Sequence, residues 1–530
     1  MSASRKKKIR KEQDSLKEQE PKKKTKKLSE GWIFAICMVA IVIVVFGGMF
    51  IYKNSQANKT VLTVGDHDVE VREFNYFYRE LAAGCDSYSQ YIGIEKDVPL
   101  NQQKVEEKDL GMLPMLGIST DCLKDLEPVD GVYDYTWAQL VAYNAMRNAA
   151  STYAVYQEAV KAGYELSEED KASIDEALEM VALYADQNNM STSDYLSRVF
   201  GNGCNEKNYR QYLEVVNTAN RYPTTLEYTD EERAARYDKE PEKFDTADFY
   251  YYSASASAFE PVKDENADEE EKAEEKPEED YDAMAKAAAE KMAEKFDTAD
   301  IKVRIYADIT EDQMSGEGGM IRSTEEERTW IFKDAKEGEV RMFTVEPEAE
   351  DGENLYVVVK MISRGSYNTS NYLDIAIPAD AEDKEPAEGE KTAKEKVEAI
   401  EESLKADGSE ENFRKNVREY MAHEGNDGVE HDAEKESLIE NLSHGRMSGI
   451  SNEFYEWATS DAHNENKWIK VESAGTTHFY FYLGEGEDHQ KLVLSGALKQ
   501  EWFQSITEAA MNECAYDEAA AMKAKVGFYA

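Results

Sequence analysis

Histidine and cysteine are scarce in this chain of 530 residues, and the scarcity removes several chemistries at the outset. Seven histidines fall at no HExxH motif and at no His/Cys spacing suited to zinc, so no metal site is expected. His423, His431 and His444 lie in a polar, glycine-containing stretch and read as exposed. The five cysteines (Cys37, Cys85, Cys122, Cys204, Cys514) form no CxxC pair, and a body this large needs no covalent staples. They read as small apolar residues, with Cys85 and Cys122 the pair to examine first for a disulfide. Positive charge is also in short supply: 62 Lys and Arg against 109 Asp and Glu leave a formal net charge of -47. Such a surface repels phosphate backbones and anionic headgroups, which excludes nucleic acid as a partner, and the acidity reads as a solubility device. The glycine-rich Gly316-Glu317-Gly318-Gly319-Met320 follows no strand-to-helix phosphate-loop pattern, and no cofactor is expected.

Long apolar runs are equally rare, and the single one organises the chain. Gly31 to Tyr52 carries no charge. As a helix it would span roughly 33 Å, enough to cross a hydrocarbon core. It is too long for the apolar region of a cleaved signal, although Ser55-Gln56-Ala57 resembles a small-residue cleavage site, and Cys37 lies too early to be a lipidated cysteine. The basic segment before it, residues 1–30, is expected to be disordered and cytoplasmic. The sequence therefore predicts a single-pass anchor over 31–52 in the cell membrane, with an extracytoplasmic body large enough for several domains.

Past a short spacer, Val61 to Val64, Gly65-Asp66 and Val69 to Val71 predict two short strands around a turn. A helix with a broad aromatic face opens at Glu73. Trp137, Leu140, Val141, Ala145, Val155, Tyr156, Ala159 and Val160 recur at helical spacing, and Gly163 stops that helix. Ser167-Glu168-Glu169-Asp170 starts the next one, further helices follow over 191–200 and 205–222, and Thr229 caps another. Asp248 to Tyr252 reads as a strand, 260–282 as an acidic solvated loop, and 283–296 as a helix. Strand 355–360 closes this segment. The same order then recurs: Trp457, Asp461 and Ala462 repeat Trp330, Asp334 and Ala335, with opening strand 372–377, helices 394–404 and 410–421, and closing strand 478–482. Val493, Leu494, Ala497, Leu498, Phe503 and Ile506 mark a last helix.

The strand, the Gly-Asp turn, the "V-x-V-x-x-F-x-Y" helix from Val69, then Ala159 to Asp170 and Tyr228 to Asp238, together resemble the N-terminal chaperone domain of the SurA/PrsA extracytoplasmic foldases. The resemblance implies an α+β fold: a mostly helical chaperone domain over 60–240, two parvulin-like prolyl isomerase domains over 241–366 and 367–490, and a C-terminal helix over 491–530 that packs back on the chaperone domain. It also implies unfolded or newly exported polypeptides as partners, held on aromatic surfaces rich in tyrosine.

Parvulins carry two histidines, one in the opening and one in the closing strand. Here the opening strands offer Asp248-Phe249 and Tyr372-Leu373, the first closing strand has Val357, and His478 stands one residue off, which in a strand sends it to the other face. No catalytic residue is therefore assigned. Met320, Phe332 and Phe343 are the candidates for an apolar proline pocket, though such residues are more often plain core. The sequence favours a foldase without efficient isomerase activity over an active isomerase or a structural envelope scaffold.

Overall fold

The computed structural model describes residues 55–96, 98–260, 280–296, 303–314, 321–347, 352–380, 391–421 and 432–524. The expected basic tail and anchor over 1–52, most of the acidic loop 260–282, and Met320, His423 and His431 lie outside the described residues. Among the described residues no helix is long and apolar enough to cross a membrane. The fold is α+β, in two compact units: Met1–Tyr222 with Ile506–Ala530, and Pro223–Ser505.

The first unit opens on a hairpin, β1 (Thr60–Val64) and β2 (His67–Glu70), whose turn places Gly65 at φ 54°. Val71, expected to end the second strand, instead begins α1 (Val71–Ser87), its amide bonded to the Lys59 carbonyl. Phe74, Tyr76, Phe77 and Tyr78 of α1 are all buried, a face wide enough to meet several helices. Between α1 and the next long helix, short turns surround a two-stranded ribbon, β3 (Lys104–Glu106) and β4 (Val132–Thr136).

Helix α2 (Trp137–Lys161) starts with a reciprocal Thr136–Gln139 capping box, and Gly163 follows it at φ 72°. Its buried Ala138, Ala142, Ala145 and Ala149 give α1 room to pack closely. The Ser167–Asp170 box opens α3 (Glu168–Gln187); α4 (Thr192–Phe200) and α5 (Glu206–Arg221) follow, and Tyr76 meets the rings of Phe200 and Tyr212 at 4.9 and 4.7 Å. Cys85, Cys122, Cys204 and Cys514 all carry free thiols, so Cys85 and Cys122 are not bridged, and burial pushes Cys85 and Cys204 up to about 12.

The second unit begins with α6 (Asp230–Tyr237), capped by Thr229. It falls here rather than with the preceding helices because its Arg236 is buried against Phe244 and paired with Glu501. Strand β5 (Thr246–Ser255), α7 (Tyr281–Glu294), β6 (Arg304–Thr310), α8 (Glu325–Thr329) with a π-type turn over Trp330–Asp334, β7 (Val340–Val345) and β8 (Leu355–Arg364) form a sheet of order β6-β5-β8-β7. Strand β9 (Asn368–Pro378), α9 (Ala393–Ala406), α10 (Glu410–Tyr420), β10 (Leu438–Leu442), α11 (His444–Ile450), α12 (Asn452–Thr459), β11 (Trp468–Ser473) and β12 (Thr476–Asp488) build a second sheet, β10-β9-β12-β11. Both sheets are antiparallel, and each runs second, first, fourth, third in its own strand order.

Alternation assigns the two faces of each sheet. Phe249 and Tyr251 pack with Val357, Val359 and Phe343; Leu373, Ile375, Phe479 and Phe481 pack under α9 and α10. The other face of the second sheet, Tyr372, Tyr480 and Tyr482, shares a core with Phe454 and Trp457 of α12 and with Ile305 and Ala307 of β6. Side chains of the two sheets thus meet in one core within this unit.

Helix α13 (His489–Glu513) ends the chain's traverse of the second unit. Val493 and Phe503, read from the sequence as packing residues, are exposed; Leu494 is buried. Contact with the first core starts at Ile506 and is made chiefly by two elements that periodicity did not reveal. Strand β13 (Ala515–Tyr516) pairs with β1, and α14 (Glu518–Ala524) buries Ala520 and Ala521 against α1 and α2.

Candidate functional site

The most elaborate polar constellation among the described residues starts at Asp248, in the opening strand β5. A bulge between Asp248 and Phe249 breaks the register with β8 and places Asp248 opposite Ser363. Its carboxylate is 3% exposed and accepts four hydrogen bonds: the Asp308 amide on Oδ1 (2.8 Å), and on Oδ2 the Ser363 hydroxyl (3.1 Å), the Tyr455 hydroxyl (2.8 Å) and His444 Nδ1 (2.6 Å). Asp308, with φ at 57°, accepts from the Tyr367 hydroxyl (2.7 Å) and the Gly445 amide (2.6 Å). Tyr367 in turn accepts from the His444 amide (2.7 Å). Its ring stacks on His444 at 3.4 Å and on His489 at 4.8 Å, and His489 Nε2 lies 3.7 Å from Asp308. Glycine at 445 leaves room for this approach: a Cβ there would come to 3.0 Å from the Asp308 carboxylate and 3.1 Å from the Ala307 carbonyl, and these neighbours would have to give way.

His444 is therefore not the exposed residue its polar neighbours suggested. Its imidazole is largely buried because Asp248 and Tyr367, 196 and 77 positions away, supply a hydrogen bond and a stacking face. Burial alone would raise the pKa of Asp248. The bonds from His444, Asp308 and Tyr455 outweigh burial and hold the carboxyl below its ordinary range. Burial, with the adjacent carboxylates, keeps Tyr367 and Tyr455 protonated, as donors must be.

One ligand atom each from Asp248, Asp308 and His444 lies within 4.8 Å of the others, a grouping no linear motif announced. The donor set does not suit a cation, however. His444 Nδ1 points its proton at Asp248, and the carboxylate oxygens already accept hydroxyl and amide hydrogens that a metal would have to displace. The arrangement is a hydrogen-bonded polar tie between the first sheet and the α11–α12 segment of the second.

The positions that the resemblance sets against the two parvulin histidines are not brought together as a polar pair. Val357 is fully buried beside Phe249 and Phe343, on the face opposite Asp248. Tyr372 is buried in the core shared by the two sheets. His478 lies on the Tyr480 face of its sheet, bonded to Asp374 at 3.0 Å and stacked on Tyr480. Of the pocket candidates, Phe343 is 5% exposed, with its ring 5.6 Å from Trp330, and Phe332 is half-buried at the edge of that core.

Nothing local in the sequence marks Glu327 on α8 off from Glu325 and Glu326 beside it. It is fully buried near Tyr251, and burial pushes its carboxyl up to about 7, the Thr324 amide and Arg328 offsetting only part of that. Below the unfolded value near 4.5 both states are protonated and nothing is lost. Between there and about 7 the unfolded chain ionises first and stability falls, reaching a constant deficit of about 3 kcal/mol above. Glu327→Gln should therefore be more stable than the wild type at pH 8 by about 2 kcal/mol and lose that slope. Urea unfolding across this range checks it; equal slopes in the two proteins would refute the assignment.

Comparison with protein-family models and with curated proteins finds no match for this chain. Its function is therefore argued from the residues and their arrangement.

Proposed function

We propose that this chain is a membrane-anchored extracytoplasmic foldase that holds unfolded exported polypeptides, and that its two parvulin-like modules lack efficient prolyl isomerase activity. The observation that carries the reading is the order of assembly. The helical unit is closed by the pairing of β1 with β13, and two sheets of identical strand order lie between those two strands in the sequence. The charge-free run over 31–52 with its basic flank supports the anchor.

Prolyl rotation faces a barrier of about 18–20 kcal/mol, and an isomerase lowers it by binding the twisted imide better than the planar one. That requires polar groups free to face the substrate. Val357 offers none, and every acceptor of Asp248 is engaged within the fold. The full chain in detergent should suppress aggregation of an unrelated unfolded protein while leaving a proline-limited refolding rate unchanged. Acceleration of that refolding would establish the isomerase instead. Failure to suppress aggregation at any ratio would leave the scaffold reading.

A further inference from the structure

We infer that the lobe between α1 and α2, residues 88–136, is the surface that takes the client, and that it selects extended segments mixing apolar side chains with lysine or arginine. The inference rests on the foldase reading and names its substrate class. Among the described residues, fourteen large apolar side chains are exposed, and seven of them fall between Tyr88 and Val132. Met115 is 77% exposed, Val129 75% and Tyr91 60%.

The lobe is nevertheless well anchored. Ile92, Leu113, Ile118 and Leu123 are buried in the first core, so its exposed residues are not the side chains of an unpacked segment. Its turns adjoin one another. The Glu107 amide bonds the Gly131 carbonyl at 2.8 Å, and Gly93 lies so close to Asp109 that a Cβ would overlap its carboxylate. Tyr91, Met112, Met115, Val129 and Val132 thus sit on neighbouring turns of one small body. Exposed apolar side chains gathered on one such body suit a binding surface, and methionine and tyrosine adapt to varied partners, the first by flexibility and the second through a large face with a polar tip.

Charge decides which segments fit. From Tyr88 to Thr136 there are ten carboxylates, four lysines and no arginine. Three of those lysines are already paired, Lys104 with Asp134, Lys108 with Glu106 and Lys124 with Asp121. Exposed Glu107, Asp125, Glu127 and Asp130 border the exposed apolar residues in sequence. An apolar segment bearing carboxylates would be repelled there, whereas one bearing cations would be drawn in.

The test uses the full chain in detergent and two labelled peptides of equal length, one of leucine, serine and lysine, the other with glutamate for lysine. Fluorescence anisotropy at low salt should show the lysine peptide binding roughly tenfold more tightly. The Met115→Ser/Val129→Ser variant should weaken that binding at low and high salt alike, and Glu127→Gln/Asp130→Asn at low salt only. All four positions are exposed, so both variants should keep the wild-type circular dichroism. Equal binding of the two peptides, or wild-type affinity in Met115→Ser/Val129→Ser, overturns the inference. A wild type that suppresses aggregation but binds neither peptide overturns this surface and leaves the foldase reading standing; one that does neither removes the foldase reading itself.

Discussion

Asp248→Asn should destabilise the second unit by about 3–5 kcal/mol, because the new amide turns a donor toward donors and leaves buried hydrogen-bonding groups unsatisfied. Four groups lose part of their partner: the Asp308 amide, Ser363, Tyr455 and His444. The pH dependence follows from the depressed carboxyl. Its contribution is fully present above the unfolded value near 3.8 and is lost as the pH falls through the lower folded value. The wild type should therefore lose stability more steeply in that acid window than the Asn variant, which keeps only the contributions of the other depressed carboxylates such as Glu401 and Glu434. Urea unfolding followed by tryptophan fluorescence reports on it, since Trp330, Trp457, Trp468 and Trp502 belong to the second unit. Asp374→Asn, at the less buried His478 pair, is the control and should cost about 1 kcal/mol or less. An Asp248 variant as stable as that control would show that the tie contributes little.

Ala521→Asp is the counterpart in the first unit. Ala521 is fully buried where α14 meets the first core, and an unpaired charge there should cost roughly 4 kcal/mol. Hydrogen exchange should lose protection in β1, since the β13 strand that pairs Tyr516 with Leu62 is carried by the same short segment. Removal of residues 514–530 should reproduce the effect. An unchanged unfolding transition after that removal would mean that the hairpin and α1–α2 hold together without the chain's far end.

Both effects depend on contacts between residues far apart in sequence: the return of the C-terminal segment to the first domain is implied by the family resemblance, whereas neither the β1–β13 pair nor the Asp248–His444 tie has a local signal. The helix starts at Ser167 and Thr229 and the stop at Gly163 were legible because a cap is made with a residue three positions away. The hairpin was legible for the same reason, except that Val71 joined the helix rather than the strand. Strand β13 has only two residues, too few for any period to show. His444 looked solvated because its neighbours in sequence are polar, yet its environment is set by Asp248 and Tyr367.

By itself, the amino-acid sequence determined the long helices, several of their caps, the alternation of the principal strands and the acidic, cysteine-poor character of the chain. Each of these depends on residues a few positions apart or on composition. Only the tertiary structure decided that β13 pairs with β1, that Asp248 and His444 are mutual partners, and that Val357 is core. Burial and hydrogen-bond partnership are properties of neighbours in space, and the chain brings those neighbours from opposite ends of its length.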